Sequence, residues 1–375
     1  MKIVVNTRLL LPGKLDGIGW FTYETLLRIT RAHPEHEFFF LFDRPWDREF
    51  IFSGNVQPHI IRPQSRHPFL WHIWFQRGIR KFLRRHPADL FFSPDGFIPL
   101  NCRVRTLPVI HDINFVHYPK DLPPVTGAYY RRYFPLFAKH ATRILTVSGF
   151  SKKDISAQFG VPPDKISVAW NGVSSVFSPL TDKEKEESRQ RFAGGKPYFV
   201  YIGSLLPRKN IPRLLRAYEL FREQSSSAIR MVIAGREMFG NGELWRVLKK
   251  MKHAGDVLFP GGLDRRDTRL LVGGAEALLF VSYFEGFGIP LVEAMACHTP
   301  VVAANVTALP EVAGEAALYT DPFSVGEIAG AMERMATDTA LKEKLKKEGA
   351  ARVKMFSWDR TAAQVWEAIE KTLAE

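Results

Sequence analysis

Cysteine is scarce: Cys102 and Cys297 are the only two in 375 residues. Two isolated thiols build neither a disulfide framework nor a zinc site, and they point to a reducing compartment. Long apolar runs are missing too. No segment is apolar and uncharged for long enough to read as a membrane-spanning helix. The opening MKIVVNTRLLL lacks the small-residue ending of a cleavable leader and reads as a first strand, the pattern of a cytoplasmic protein. The Gly-x4-Gly-Lys-Ser/Thr phosphate loop is absent, and so is a Ser or Cys nucleophile elbow. No Asp-x-Asp occurs, so a metal chelating a diphosphate has no obvious ligands, and neither metal nor resident cofactor is expected. Helix-turn-helix, zinc-finger and RNA-recognition signatures are also absent, so nucleic acid is not the expected partner. No internal repeat or low-complexity tract is evident.

What is present is a well-endowed core. Hydrophobic residues make up 46% of the chain and charged residues 24%, which excludes a disordered chain. The length exceeds one ordinary core and implies two domains of roughly 150–200 residues each. The net charge of +13 is unevenly spread. Residues 1–175 hold 24 basic and 13 acidic side chains, against 28 and 26 in residues 176–375. An excess of +11 on one half suits an anionic surface or a phosphorylated ligand, or solubility alone.

Short apolar runs alternate with helical patterns in both halves. Residues 2–5, 37–42, 90–92, 106–110 and 143–147 read as strands, with helices over 71–85 and 126–142. Residues 176–196 are polar and Gly-punctuated and read as a connector with a short solvated helix. The strand–helix rhythm restarts at 197–203 and continues through 230–235, 257–259, 277–281 and 300–303. Ser357 caps a last helix running to Leu373. The expected fold class is α/β, with two Rossmann-like doubly wound domains facing a central cleft. The expected divisions are 1–175, a connector 176–196, a second domain 197–355, and a terminal helix 356–375. Ligands of such sheets lie beyond the carboxyl ends of the strands.

Four strand-end windows carry chemistry. In Ser282–Ala296 a strand is followed by a Gly-rich turn, with Pro290 in the first turn of a helix. Glu285 lies on that loop and Glu293 about one turn into the helix. Carboxylates flanking the free N–H groups of a helix start suit a polyol, because they accept from hydroxyls while the N–H groups donate. In Tyr201–Pro212 a strand ends in Gly203-Ser204, and Arg208 and Lys209 precede a helix, an arrangement suited to a diphosphate or, equally, to a solvated pair of cations. Asp16-Gly17-Ile18-Gly19 follows the first strand but lacks the third glycine and the ribose-binding acid of a dinucleotide fingerprint. It reads as backbone approaching a ligand closely, or as a plain turn. His111-Asp112 closes the 106–110 strand.

Together with their neighbours, these windows resemble glycosyltransferase family 4, the retaining enzymes of the GT-B fold, and in particular bacterial mannosyltransferase-like members. The matching segments are DGIGWFTYE, VIHDINFVHYP, TVSGFSKKDI, VAWNGV, YIGSLLPRKN, SYFEGFGIPLVEAMACHTPVV and ALPEVAGEAALY. The resemblance implies transfer of a hexose, mannose from GDP-mannose as the first candidate. The implied acceptor is a glycan or lipid-linked molecule of cell-surface polysaccharide synthesis. It implies that Glu293 binds the ribose and Glu285 the hexose hydroxyls. Phe287 and Gly288 would present backbone N–H groups, with Ile289 in the same substrate-binding set. Arg208 and Lys209 would neutralise the diphosphate, and Gly17, with Gly19 beside it, would let the first loop approach it. His111 would lie near the donor hexose and the reacting centre, which makes it catalytic together with Arg208, Lys209 and Glu285. Asp112 would belong to the substrate-binding set, and helix 356–373 would return to the first domain. Gly235, Gly261, Gly262 and Leu263 would surround the base. The chain departs from the family at Ser204, where arginine is frequent, and at Asn305.

Residues 71–85, WHIWFQRGIRKFLRR, place Trp71, Trp74, Phe75, Ile79, Phe82 and Leu83 on one helical stripe and five basic residues on much of the rest. The stripe is expected to pack on the sheet, and the basic face to touch an anionic membrane surface, making the protein peripheral at the inner face of the plasma membrane. A sugar-nucleotide epimerase of similar shape is the competing enzyme reading.

Overall fold

The computed structural model describes residues 1–375 and divides them into two compact units. Unit 1 comprises Met1–Gly172 with Ser357–Glu375, and unit 2 comprises Val173–Phe356.

The sheet of unit 1 is all parallel. Its strands are β1 (Lys2–Asn6), β2 (Glu37–Phe42), β3 (Val56–Ile60), β4 (Leu90–Ser93) and β5 (Arg105–Pro108), in the order β3-β2-β1-β4-β5. Helices cover such a sheet on both faces, so its central strands are continuously apolar: Val4, Phe40 and Phe92 are each 0% exposed. A small pair, β6 (Ile144–Thr146) with β7 (Ile166–Val168), joins beyond β5 through a bridge from Val109 to Leu145. Val109 and Ile110 therefore follow β5 in extended backbone rather than lengthening it.

Residues 68–85 are helical throughout, but not as one regular α-helix. An α-turn (Pro68–Ile73) passes through a π-helical stretch (Trp74–Ile79) into a second α-segment (Arg80–Arg85). The wider π turn rotates the register so that Trp74, Phe75, Ile79 and Leu83 are all buried. The Trp74 indole donates to the Ile61 carbonyl at 2.7 Å. Gly78 lies against Ile61, where an added Cβ would meet Cγ2 at 2.8 Å.

Helix Trp358–Ala374 packs in unit 1 against helix Gly17–Ala32. Ser357 caps it by accepting from Asp359 N. Thr361 Oγ1 donates to the Trp170 carbonyl at 2.6 Å. Gly172 permits this crossing: a Cβ there would stand 2.3 Å from Trp358 N.

Unit 2 repeats the plan with six parallel strands: β8 (Tyr198–Ile202), β9 (Arg230–Ala234), β10 (Val257–Gly261), β11 (Ala277–Phe280), β12 (Val301–Ala304) and β13 (Ala317–Thr320). Their order is β10-β9-β8-β11-β12-β13. The expected connector is not a connector. Residues 176–196 lie inside unit 2, and helix Asp182–Ala193 packs on its sheet. A Thr181–Glu184 capping box starts this helix, and Ser188, Phe192 and Ala193 are buried. Ser188 and the Tyr198 hydroxyl share a hydrogen bond of 2.7 Å.

Candidate active site

In unit 2 the strand order reverses between β8 and β11, and the crevice beyond the carboxyl ends of two such strands is where open α/β sheets bind ligands. The loop after β8 carries Arg208 and Lys209, and the loop after β11 carries Glu285. Tyr283 N donates to the Arg208 carbonyl at 3.0 Å, and Arg208 Nη1 donates to the Phe284 carbonyl at 3.0 Å. Asn210, at the end of the β8 loop, ties it to the ends of β11 and β13, donating to the carbonyls of Val281 and Pro322 at 3.0 and 2.7 Å.

The three charged side chains meet. Glu285 Oε2 accepts from Arg208 at 2.9 Å and Glu285 Oε1 from Lys209 at 2.5 Å. Glu285 is 5% exposed and Lys209 9%. The Lys209 ammonium also stands 5.1 Å from the centroid of the Phe280 ring. Burial pushes the Glu285 carboxyl up, but Lys209 and Arg208 outweigh it and hold it at about 2. Two cations on one carboxylate leave a net positive charge at the switch point. The Glu285 backbone is held from the other side, its N–H donating to Thr307 Oγ1 at 3.2 Å.

Glu293 is the opposite case. It lies on helix Ile289–Ala296, where burial raises its carboxyl to about 7 and Arg265 offsets this only in part. Environments that drive two carboxyls of one loop–helix element this far apart are a signature of functional sites. Gly288 caps the helix at φ 95, a left-handed value that favours glycine, and an added Cβ there would meet Leu309 at 2.7 Å. Pro290 lies in the first turn, so the opening donors are the N–H groups around Gly288 and Ile289. The Phe287 ring is 4% exposed and packs edge-on to Phe356, so only its backbone can serve a ligand.

Gly235 has a structural task. Its N–H donates to the Gly261 carbonyl at 2.8 Å, and an added Cβ would stand 1.9 Å from the Gly203 carbonyl oxygen. The three glycines let β8, β9 and β10 end with their backbones in contact. Ser204, half-buried, accepts from the Tyr201 hydroxyl through its carbonyl at 3.3 Å. Leu263 is half-exposed just before helix Arg265–Gly273. Asn305 is exposed and its N–H pairs with the Thr320 carbonyl at 3.0 Å.

The other candidates lie at the corresponding edge of unit 1. His111 follows β5, and its Nε2 lies 2.8 Å from the Pro94 carbonyl, which can only accept, so Nε2 carries a proton. Burial pushes the imidazole's pKa down, so the ring is neutral and Nδ1 is an acceptor. Asp112 caps the next turn by accepting from Asn114 N at 3.0 Å. Gly17 and Gly19 are not in a loop, contrary to expectation: both lie in the first turn of helix Gly17–Ala32, capped by Asp16, which accepts from Gly19 N at 2.9 Å. Gly17 is exposed, while Gly19 is buried against Leu15 and the Leu9 carbonyl.

Sequence reasoning missed Asn210 and Thr307. Asn210 is a helix N-cap position, but its φ of 63 and its side chain serve the loops rather than the cap. On the basic helical segment, Arg77, Lys81, Arg84 and Arg85 are exposed, and Phe69 at its start is 68% exposed. No helix is long and apolar enough to cross a membrane.

Both halves of the chain match known families. The profile for glycosyl transferases group 1 matches residues 182–352, and that for Glycosyltransferase Family 4 matches residues 15–177. O-antigen chain mannosyltransferase B of Escherichia coli is 31% identical over 283 residues, covering 75% of this chain and 74% of that protein. O-antigen chain mannosyltransferase RfbU of Salmonella typhimurium is 28% identical over 269 residues, covering 72% and 71%. The solved structure of Anabaena HepE in complex with UDP and glucose matches with a TM-score of 0.76 at 19% identity, covering 99% of this chain and 100% of that one.

Proposed function

This chain belongs to the family 4, group 1 glycosyltransferases of the GT-B fold, and from that premise we propose that it transfers mannose from GDP-mannose, with retention, onto a glycan or lipid-linked acceptor in cell-surface polysaccharide synthesis. The observation that carries the reading is the pair of cations at the switch point of unit 2, adjoining a helix start with a second carboxylate beyond it. The mannose rests on the names of the O-antigen mannosyltransferases the chain resembles, and GDP-mannose is the donor that the family resemblance puts first.

Each residue then has a task. Arg208 and Lys209 carry the charge that develops on the departing diphosphate, as preorganised groups do most effectively in a buried site. Glu285 accepts from hexose hydroxyls and Glu293 from the ribose. His111, neutral and with Nδ1 as acceptor, receives a hydroxyl of the donor hexose. With fixed cations on the leaving group, the acceptor hydroxyl attacks from the face the phosphate leaves, and its proton passes to the departing phosphate oxygen. The exposed basic residues of the 71–85 segment meet an anionic membrane surface, where a lipid-linked acceptor resides.

The test is incubation of the purified chain with GDP-mannose and a lipid-linked glycan extract. The reading expects GDP release that depends on the acceptor, and a product with the donor's anomeric configuration. An inverted product removes retention, and an altered sugar nucleotide formed without acceptor favours the epimerase.

A further inference from the structure

The charges at the switch point of unit 2 are paired with one another. Both carboxylate oxygens of Glu285 are engaged, one by each cation, at 2.9 and 2.5 Å. Arg208 and Lys209 are the groups that a diphosphate would need. The carboxylate that a hexose would need is the one holding them. Two demands therefore fall on one set of groups, and each competes with the ion pairs observed.

We propose that Glu285 is an internal stand-in for the donor's diphosphate: it holds Arg208 and Lys209 in the free protein and is released onto the hexose hydroxyls when the diphosphate takes the cations. This deepens the transferase reading and rests on it. A carboxylate and a phosphate oxygen offer the same thing to a guanidinium or ammonium, a localised negative charge accepting short N–H bonds. Without that carboxylate, the Lys209 ammonium, 9% exposed and 5.1 Å from the Phe280 ring centroid, would lose a compensating charge in a buried site, which is costly. Glu285 removes that cost in the free protein and so keeps the cations in place for the incoming phosphate.

The exchange also links two parts of the donor. A bare nucleoside diphosphate must displace Glu285 and offers it nothing in return. A nucleotide sugar displaces it and supplies hydroxyls to the freed carboxylate. The site is thus set to prefer the donor over the diphosphate product, and the returning carboxylate helps to expel that product after transfer. The loops around the exchange are held independently of it. Asn210 ties Val281 and Pro322, and Thr307 holds the Glu285 backbone, so the side chain can turn while its support stays.

The test is calorimetric titration of the full chain and its Glu285→Gln variant with GDP, UDP and ADP, and with the corresponding nucleotide sugars. The variant keeps the side-chain shape and removes its charge. It should bind the diphosphate that the wild type binds at least about tenfold tighter, since one competing charge a few ångströms away is gone. The advantage of the nucleotide sugar over the bare diphosphate should shrink. Equal or weaker diphosphate binding by the folded variant overturns the proposal and leaves the transferase reading intact. Failure of the wild type to bind any of the diphosphates overturns the transferase reading, and this proposal with it. Should the variant not fold, a crystal structure of the wild type with its diphosphate decides. The carboxylate should have left at least one cation, and a bound diphosphate with both ion pairs intact overturns the proposal.

Discussion

Replacing Glu293 by Gln should make the chain more stable at pH 8 than the wild type and nearly indistinguishable from it at low pH. In the folded protein burial raises this carboxyl from 4.5 to about 7. A group whose folded pKa lies above its unfolded value keeps its proton longer in the native state. Its contribution is therefore fully present below pH 4.5 and is lost as pH rises through about 7. Each pH unit between the two values corresponds to about 1.4 kcal/mol, and the side chain keeps some contact with solvent, so the loss between pH 5 and 8 comes to about 2 kcal/mol. Glutamine has no proton to lose and escapes it. Urea unfolding of both chains at pH 5 and pH 8 reads the effect, because all other titrating groups cancel in the difference. Parallel profiles, with the gap unchanged between the two pH values, would refute the argument that burial governs this carboxyl.

Other consequences are narrower. Lys209→Ala should lose most transfer activity and about 3 kcal/mol of stability, because the buried Glu285 keeps only one of its two cationic partners; near-wild-type turnover of the purified variant would remove Lys209 from the mechanism. Gly172→Ala should cost roughly 1–3 kcal/mol in thermal or urea unfolding, since its Cβ meets the Trp358 backbone at 2.3 Å; a neutral effect would mean the last helix is not held where the structure places it. Changing Arg77, Lys81, Arg84 and Arg85 together to Gln should abolish sedimentation with anionic vesicles while leaving the fold intact; equal binding of the wild type to neutral and anionic vesicles, or none to either, would sink the membrane contact.

The site is readable in sequence where local rules govern it. A strand followed by a Gly-rich turn and an early proline locates the helix start before Glu293, and adjacent basic residues after a strand locate the cations of the switch point. The pairing of Glu285 with Lys209 spans 76 residues and depends on β8 and β11 lying side by side, which no local pattern reveals. Thr307 is hidden for the same reason. The connector expected at 176–196 fails for a different cause. Helix Asp182–Ala193 carries so much charge that its buried face, only Ser188, Phe192 and Ala193, gives little periodic signal. Strand β3, VQPHI, is an edge strand with a proline and polar residues, and β7 and β13 are three and four residues long. Their pairing is decided by the sheets they join rather than by their own composition. The π turn at 74–79 lies against Ile61, a contact across the fold that no local pattern reveals.

The most direct test of unit 2 as the donor-binding site is a thermal-shift comparison of the wild type and Arg208→Ala with GDP, UDP, ADP and their sugars. A ligand at about 100 times its dissociation constant adds about 2.7 kcal/mol to the stability of the state that binds it. A clear rise in melting temperature with one nucleotide and its sugar is expected for the wild type, and a much smaller one for the variant. No rise with any nucleotide, or an equal rise in both chains, would contradict the assignment.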